Sequence, residues 1–295
     1  MIKLRVLILG YGEMGHALEH LLADKQDVRI WSLSASTILE EEAAKAQVIL
    51  FCLPVNAHLE IIQRIASCLN KNSLCLTIAK GLDESGLTAA QVFAKVLEDK
   101  HRYGVIYGPM ISEEIRQDRY AFANVALTVA DDFALVKTLF QGGKLICTQV
   151  SDMNGSSWSV ILKNVYAIMF GVADELKLGD NMRGYLMVTA LSELSDIVKA
   201  FGANSATPYG YAGLGDLITT ATSPGSHHHE LGHKLASGQF SDISGEGVHT
   251  LKMVEKFQLI DSRSYPLFKL ISEIVATPAT LKSQVEHYLG QLRTW

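Results

Sequence analysis

Three glycines near the start of the chain have the spacing of a phosphate-binding turn. Gly10, Gly12 and Gly15 form a G-x-G-x-x-G pattern. The apolar run Leu4–Leu9 before them predicts a buried strand, and apolar residues at helical intervals follow. In this context the first glycine permits a tight turn, the second lets the backbone approach a pyrophosphate, and the third allows helix and strand to pack closely. The pattern predicts a dinucleotide site, and a glycine-rich turn without a ligand is the alternative.

The residues after the second predicted strand leave the choice between NAD and NADP open. In this type of site an acidic residue after that strand binds the ribose 2′-hydroxyl, whereas an arginine accepts a 2′-phosphate. Here Asp27–Trp31 is followed by Ser32, Leu33 and Ser34, so neither signal is present. Glu13, inside the glycine pattern, is an unfavourable neighbour for a pyrophosphate unless its side chain points to solvent.

A second pattern has the spacing of a zinc hydrolase. Residues His229 to His233 read H-E-x-x-H, in which two imidazoles one helical turn apart bind the metal and the glutamate acts as a base. Against this interpretation, Gly232 weakens the required helix and no third ligand stands at a known spacing. A zinc metallohydrolase is therefore a remote alternative, and we expect no metal in the functional site. The histidines from His227 onward would bind zinc or nickel adventitiously.

Strand and helix patterns alternate in the first half of the chain, and only helical patterns follow. The predicted strands are Leu4–Leu9, Asp27–Trp31, Val48–Cys52, Ser73–Ile78, Gly104–Tyr107, Ala123–Val129 and Leu145–Val150. After the helix that follows the glycine turn, the predicted helices of the first half are Ala57–Leu69, Thr88–Leu97 and Phe133–Phe140. The predicted helices of the second half are Ser157–Val172, Asn181–Phe201, Leu217–Ala221, Gly247–Phe257, Leu267–Val275 and Leu281–Leu292, with a glycine-broken loop at Tyr209–Gly215. This order predicts an α/β fold: a Rossmann-type, doubly wound, mostly parallel sheet in residues 1–152, then an all-α substrate domain in residues 153–295. We expect the active site in a cleft between the two domains.

The composition excludes several classes of function. A net charge of −5 with 19% charged residues provides no basic surface for nucleic acid. No apolar run approaches the roughly 20 residues needed to cross a bilayer, and the first residues lack a signal-peptide cleavage site. The 4 cysteines include no C-x-x-C pair, as expected in a reducing compartment. We therefore expect a cytoplasmic protein without membrane or nucleic-acid partners.

Several further motifs, in order along the chain, resemble the bacterial soluble NAD(P)-dependent glycerol-3-phosphate dehydrogenases. They are GYGEMGHAL at Gly10–Leu18, AKG at Ala79–Gly81, GPMISEEI at Gly108–Ile115, LKN at Leu162–Asn164, GVADELKLGDN at Gly171–Asn181, AGLGDL at Ala212–Leu217, TSPGS at Thr222–Ser226 and GEGV at Gly245–Val248. The resemblance implies an oxidoreductase that transfers hydride between NAD(P)H and dihydroxyacetone phosphate to give sn-glycerol 3-phosphate for glycerophospholipid metabolism. By analogy with these relatives we expect a homodimer.

The resemblance also implies the catalytic residues. Lys163 would be the general acid/base, because the developing alkoxide needs a proton and apolar neighbours would lower the pKa of a lysine towards the working pH. The alternative is a lysine whose buried stem lets the amine reach solvent. Asp216 would orient Lys163, or else only cap the helix that follows it. Lys80 would hold positive charge near the substrate carbonyl or phosphate, with a solvated turn lysine as the alternative.

Other positions are implied as ligand contacts. On the cofactor they are Gly10, Gly12, Glu13, Met14, Gly15, Ser32, Lys80, Ser112, His227 and Glu246. On the substrate they are Lys80, Gly108, Met110, Lys163, Asn164, Asp216, Ser226, His227 and His228. For Gly108, Asn164, Ser226 and Glu246 a purely structural role is the alternative.

The chain departs from the family pattern where the substrate phosphate would bind. His227 and His228 stand where Arg-Asn is usual, Met110 replaces a small hydroxyl residue, and Thr189 replaces an arginine. An imidazole offers fewer donors than a guanidinium and is charged only near or below pH ~6.5. We expect weaker phosphate binding than in the family. The alternative is a divergent dinucleotide-binding paralogue with another small substrate or no catalysis.

Overall fold

The chain forms an α/β unit followed by a helical unit, in a computed structural model that describes residues 3–34, 37–223 and 225–294. One compact unit extends to Ser157 and the other starts at Trp158. The predicted domain boundary after residue 152 lies a little earlier and stays a prediction. Pro224 of the T-S-P-G-S motif and the chain ends Met1, Ile2 and Trp295 lie outside the described residues.

Within the described residues of the first unit, seven strands form one sheet. They are β1 (Arg5–Leu9), β2 (Asp27–Trp31), β3 (Val48–Phe51), β4 (Leu74–Thr77), β5 (Arg102–Tyr107), β6 (Ala121–Leu127) and β7 (Leu145–Val150). Their order is β2-β1-β3-β4-β5-β6-β7, and every neighbouring pair is parallel except the antiparallel β5 and β6. This confirms the predicted doubly wound, mostly parallel sheet. The strand order reverses beside β1, and ligands of such sheets bind at the carboxyl ends next to that point.

Helices cover both faces of this sheet, which explains its almost wholly apolar inner strands. They are α1 (Glu13–Leu22), α2 (Leu39–Lys45), α3 (His58–Ile65), α4 (Ala89–Leu97), α5 (Ser112–Arg116) and α6 (Phe133–Phe140). Alternate side chains of β1 enter different cores: Val6 and Ile8 pack with α1 and α6, whereas Leu7 and Leu9 pack with α2, α3 and α4. The short α2 and α5 were not among the predicted helices.

The second unit is helical throughout its described residues, as predicted. Its helices are α7 (Met153–Glu175), whose first residues precede Trp158, α8 (Asp180–Ala200), α9 (Asp216–Thr222), α10 (His227–Ala236), α11 (Glu246–Phe257), α12 (Pro266–Ala276) and α13 (Leu281–Gln291). Two predictions need correction: the supposed loop contains a π-helical turn at Tyr211–Gly215, and α10 was not predicted. No described helix has both the length and the apolar composition required to cross a bilayer.

Two glycines allow α7 and α10 to touch through their backbones. A Cβ atom at Gly171 would lie 1.9 Å from the His229 carbonyl oxygen, and one at Gly232 would lie 1.9 Å from the Ile168 carbonyl oxygen. Any side chain at either position would force the helices apart. The sequence predicted that Gly232 weakens a helix here, but α10 runs through this residue, and the glycine permits its close crossing with α7.

Candidate active site

The glycine turn after β1 has the geometry that the sequence predicted. Gly10 has a φ of +95°, which favours glycine, and a Cβ there would lie 2.8 Å from the Cys52 carbonyl oxygen. A Cβ at Gly15 would lie 2.3 Å from the Gly10 carbonyl oxygen, so the start of α1 packs directly on the turn. Gly12 caps α1 without a side-chain hydrogen bond, and a Cβ there would meet nothing within 4 Å. Amide groups at an open helix N-terminus fit a pyrophosphate.

The Glu13 side chain is exposed and is bound by a neighbouring helix. Its Oε2 accepts hydrogen bonds from Arg116 Nη2 at 2.5 Å and from Ser112 Oγ at 3.5 Å, which link α1 to α5. The cation at Arg116 offsets the negative charge that would otherwise oppose a phosphate. Met14 is partly buried against the sheet core, and Ser32 Oγ lies 3.1 Å from Ser34 Oγ just after β2.

Two of the predicted substrate residues meet at the carboxyl ends of β4 and β5. Lys80 Nζ donates a hydrogen bond to the Gly108 carbonyl oxygen at 3.3 Å. Gly108 must be glycine, because a Cβ there would lie 2.3 Å from the Phe122 carbonyl oxygen. Met110 is 6% exposed and its side chain belongs to the apolar core, so any contact with a substrate would come from its backbone.

In the second unit, Lys163 and Asp216 form a buried ion pair between α7 and α9. Lys163 Nζ lies 3.1 Å from Asp216 Oδ2, and it donates to Thr220 Oγ1 at 2.5 Å. The Thr220 hydroxyl donates in turn to the Asp216 carbonyl oxygen at 2.7 Å. The alternative of an amine in solvent is wrong, since the Lys163 side chain is 5% exposed. Asp216 does not cap α9, whose N-cap is Gly215 and has no side-chain cap.

The surroundings of Lys163 act on its charge in opposite directions. Burial disfavours an isolated ammonium, whereas the nearby carboxylate and hydroxyl stabilise it. Such a site holds a proton next to groups that fix the position of the nitrogen, as a general acid requires. Sequence reasoning missed Thr220. Its position four residues after Asp216, and therefore on the same face of a helix, was the available signal.

A second set of predicted residues lies beside this pair in the same unit. Asn164 Nδ2 donates to Glu246 Oε2 at 3.1 Å, which joins α7 to the start of α11. Gly247 fits closely between neighbours, because a Cβ there would lie 2.9 Å from the Asn164 carbonyl oxygen and 3.3 Å from His228 Nδ1. The structure thus brings Asn164, Glu246 and His228 together.

The histidine pair opens α10. The Ser226 hydroxyl accepts a hydrogen bond from the His229 amide at 3.3 Å and caps the helix, so His227 and His228 stand in its first turn. The helix dipole gives that end a partial positive charge, which adds to any charge on the imidazoles. These residues fit an anion better than the sequence alone indicated.

The H-E-x-x-H residues face separate carboxylates. His229 Nε2 lies 2.7 Å from Asp174 Oδ2, whereas His233 Nδ1 lies 2.7 Å from Glu175 Oε2. Burial acts to raise the pKa of Asp174, but hydrogen bonds from Arg183 and His229 outweigh it, so this pKa lies below its ordinary value. In the part of the chain that the structure describes, no group of three or more His, Cys, Asp or Glu side chains is placed to hold a metal. The hydrolase alternative has no geometric support.

A doubly wound sheet with an open glycine turn, followed by a helical unit with a buried lysine–aspartate pair, defines the class of dinucleotide-dependent oxidoreductases. Sequence profiles described as the NAD-dependent glycerol-3-phosphate dehydrogenase N-terminus and C-terminus match residues 32–132 and 152–286. The chain therefore belongs to the NAD-dependent glycerol-3-phosphate dehydrogenase family. The predicted family and enzyme class are confirmed.

Relatives of known name support this assignment over most of the chain. Glycerol-3-phosphate dehydrogenase [NAD(P)+] of Trichormus variabilis is 33% identical over 264 residues, which are 86% of each chain. The protein of that name from Gloeobacter violaceus is 30% identical over 281 residues, 92% of each chain. The crystal structure of glycerol-3-phosphate dehydrogenase from Coxiella burnetii has a TM-score of 0.85 at 25% identity, and the match covers 97% of this chain and 99% of that one.

Proposed function

We propose that this protein transfers hydride between NAD(P)H and dihydroxyacetone phosphate to give sn-glycerol 3-phosphate. The observation that carries the proposal is the buried Lys163–Asp216 pair, 3.1 Å apart, in a chain of this family. Relatives that bear the name glycerol-3-phosphate dehydrogenase [NAD(P)+] support the choice of substrate and of cofactor.

In this proposal, side chains of the protein transfer the proton. A dinucleotide at the glycine turn would supply the hydride to the ketone carbon. The Lys163 ammonium gives its proton to the oxygen that gains the electron pair of the C=O bond, and the reverse reaction returns the proton to the amine. Asp216 and Thr220 hold the nitrogen in place and stabilise its charged form. Lys80, after β4, would place a positive charge near the substrate oxygen or phosphate.

The cofactor would bind at the glycine turn of the first unit. Gly10 and Gly12 leave the N-terminus of α1 open to the pyrophosphate, and Ser32 would lie near the ribose. The residues Ser32 to Ser34 carry neither an acid nor a guanidinium. The choice between NADH and NADPH is therefore tested directly, by running the oxidation assay with both nucleotides.

The substrate phosphate would bind at the start of α10. Ser226 caps this helix and its first turn carries His227 and His228, so helix dipole and imidazoles act on an anion together. Because an imidazole loses its charge above pH ~6.5, the affinity for the phosphate would fall with rising pH. A divergent paralogue with a different substrate remains the competing proposal, favoured by this departure from the family's Arg-Asn.

We further infer a cytoplasmic homodimer. The free thiols of Cys52, Cys68, Cys75 and Cys147 are those expected in a reducing compartment, and the dimer is proposed by analogy with the family to which the chain belongs. Size-exclusion chromatography with light scattering measures the assembly, and a monomeric mass would contradict the dimer.

Oxidation of NADH and NADPH by dihydroxyacetone phosphate tests the main proposal. Wild type, Lys163→Ala and the control Lys199→Ala, an exposed lysine on α8, are compared. Loss of a proton donor should lower kcat about 10²- to 10⁴-fold in Lys163→Ala alone. Nucleotide binding is followed separately by NADH fluorescence. Wild type that binds NADH but shows no turnover would support the divergent paralogue instead.

A further inference from the structure

A buried histidine connects the carboxyl ends of two central strands of the first unit, β3 and β4. His58, the first residue of α3, and Thr77, the last residue of β4, are both 0% exposed. His58 Nε2 lies 2.9 Å from Thr77 Oγ1, and His58 Nδ1 lies 3.1 Å from the Pro54 carbonyl oxygen. The Ala79 amide donates to the same Thr77 hydroxyl oxygen at 3.0 Å. The result is a continuous hydrogen-bond chain from Ala79 to Pro54.

The chemistry of the groups determines the direction of each bond. A carbonyl oxygen only accepts, so Nδ1 of His58 carries the proton towards Pro54. In the neutral ring Nε2 must then accept, and the Thr77 hydroxyl donates to it. That hydroxyl oxygen can still accept from the Ala79 amide. Burial lowers the pKa of His58 to about 4, which keeps the ring neutral and this pattern intact at neutral pH.

The chain of bonds begins where the strand ladder ends. The last paired residues of β3 and β4 are Phe51 and Thr77, after which the two backbones leave the sheet. Gly81 packs against the turn after β3, since a Cβ there would lie 3.7 Å from Val55 Cγ2. The segment Ala79–Gly81 carries Lys80, whose Nζ reaches the Gly108 carbonyl oxygen after β5.

We propose that His58 and Thr77 are positioning residues that set the place of Lys80 at the cofactor edge of the sheet. The inference rests on the proposed function, in which Lys80 contacts substrate and dinucleotide. The imidazole also packs against two aromatic rings, with centroid distances of 5.1 Å to Phe51 and 5.6 Å to Phe93, and these two rings contact each other at 4.8 Å. The His58 ring, the Thr77 hydroxyl and the Ala79 amide thus fix the loop that carries Lys80 relative to the sheet.

Four variants and one matched control test this positioning role. Thr77→Val and His58→Leu remove one group of the hydrogen-bond chain, while Thr77→Ser and His58→Gln keep a donor or acceptor there. The control is Ser73→Ala, just before the amino end of the same strand, where the buried hydroxyl donates to the Ala46 carbonyl oxygen at 2.6 Å. It removes a buried hydrogen bond next to the same strand without touching the Lys80 segment.

The readouts are kcat and KM with dihydroxyacetone phosphate, and the Kd of NADH measured by fluorescence. Displacement of a reacting group by about 1 Å can cost up to about 100-fold in rate. We therefore expect Thr77→Val and His58→Leu to lower kcat/KM by at least about tenfold and to weaken NADH binding. Thr77→Ser should restore both values, and Ser73→Ala should leave both near wild type. Equal losses in Thr77→Val and Ser73→Ala, or no rescue by Thr77→Ser, would overturn the proposal.

The hydrogen-bond chain can also be tested on the wild-type protein alone. This measurement requires neither a variant nor enzymatic activity. Nitrogen-15 NMR of labelled histidine distinguishes the two neutral tautomers. The hydrogen-bond chain requires the Nδ1–H form of His58 at neutral pH, and the Nε2–H form would refute it. If wild type lacks turnover with dihydroxyacetone phosphate, the proposed function fails, while NADH affinity and the tautomer still decide the positioning role.

Discussion

The nitrogen of Lys163 and the carboxylate of Asp216 are 3.1 Å apart, with side chains 5% and 4% exposed. The lysine comes from the long helix α7 and the aspartate from the first turn of α9. Removal of two charges from water is costly, so each charge depends on the other, and the ammonium also depends on Thr220. The pair that would perform proton transfer is therefore also a determinant of stability.

Loss of one member of this pair should destabilise the fold more than loss of both. Asp216→Ala leaves a buried ammonium without its carboxylate and should lower the free energy of unfolding by about 3 to 5 kcal/mol. The double variant Lys163→Leu with Asp216→Ala removes both charges and should recover part of this loss. Urea unfolding measures both, with the exposed Asp196→Ala as control. A double variant less stable than Asp216→Ala would contradict the argument.

Alanine at Gly232 should destabilise the protein although alanine favours helices. Its Cβ would lie 1.9 Å from the Ile168 carbonyl oxygen, so α10 would be pushed away from α7. We expect a loss of at least about 2 kcal/mol. Gly290→Ala in α13 is the matched control, because a Cβ there meets nothing within 4 Å and should stabilise by up to about 1 kcal/mol. If both variants gain stability, the close crossing does not exist.

Buried His58 should make stability depend on pH in acid. Its pKa is lowered from 6.5 to about 4 by burial, so between these values the unfolded chain binds the proton that the folded protein excludes. The stabilisation is complete above pH 6.5 and is lost as the pH falls towards 4.

The size of this effect follows from the shift, since each pKa unit corresponds to about 1.4 kcal/mol. Urea titrations from neutral pH down to about pH 4.5 should show wild type losing roughly 2 to 3 kcal/mol more than His58→Gln. The comparison cancels the carboxylates that titrate in the same range. Parallel curves for the two proteins would show that His58 is not buried in its neutral form.

Substrate affinity should fall above neutral pH because imidazoles replace a permanent cation. The KM for dihydroxyacetone phosphate should rise steeply above about pH 7, since histidine is charged only near or below pH ~6.5. The double variant His227→Arg with His228→Asn should lower KM and flatten its pH dependence. His287→Asn, an exposed histidine of α13, is the control. A KM that stays constant from about pH 6 to 9 would exclude a histidine-based phosphate site.

Removal of metal should leave the activity unchanged. His229 and His233 face different carboxylates, so the H-E-x-x-H spacing does not assemble a zinc site. Protein purified without an affinity resin should contain far less than one zinc per chain, and dialysis against a chelator should not alter kcat. Stoichiometric zinc together with loss of activity on chelation would revive the hydrolase alternative.

Much of the architecture could be read from local sequence because the pattern of side chains matches the geometry of each element. The bounds of β2, β7 and α6 were predicted to the residue. A strand buried on both faces or a helix with one apolar stripe has a periodicity that needs no tertiary information. Helices α2, α5 and α10 lacked that signal. Among them only α10 has a side-chain cap, and α2 and α5 have 7 and 5 residues.

By itself the sequence determined the order of strands and helices, the glycine turn and the family, since each depends on residue types at fixed separations. Only the tertiary structure decided that Lys163 meets Asp216 and Thr220, that Met110 is buried, that Gly232 serves a helix crossing and that His58 reaches Thr77. These relations join residues far apart in the chain or depend on which face of an element is covered. Their energies arise from burial and from hydrogen-bond geometry, which exist only after the elements pack.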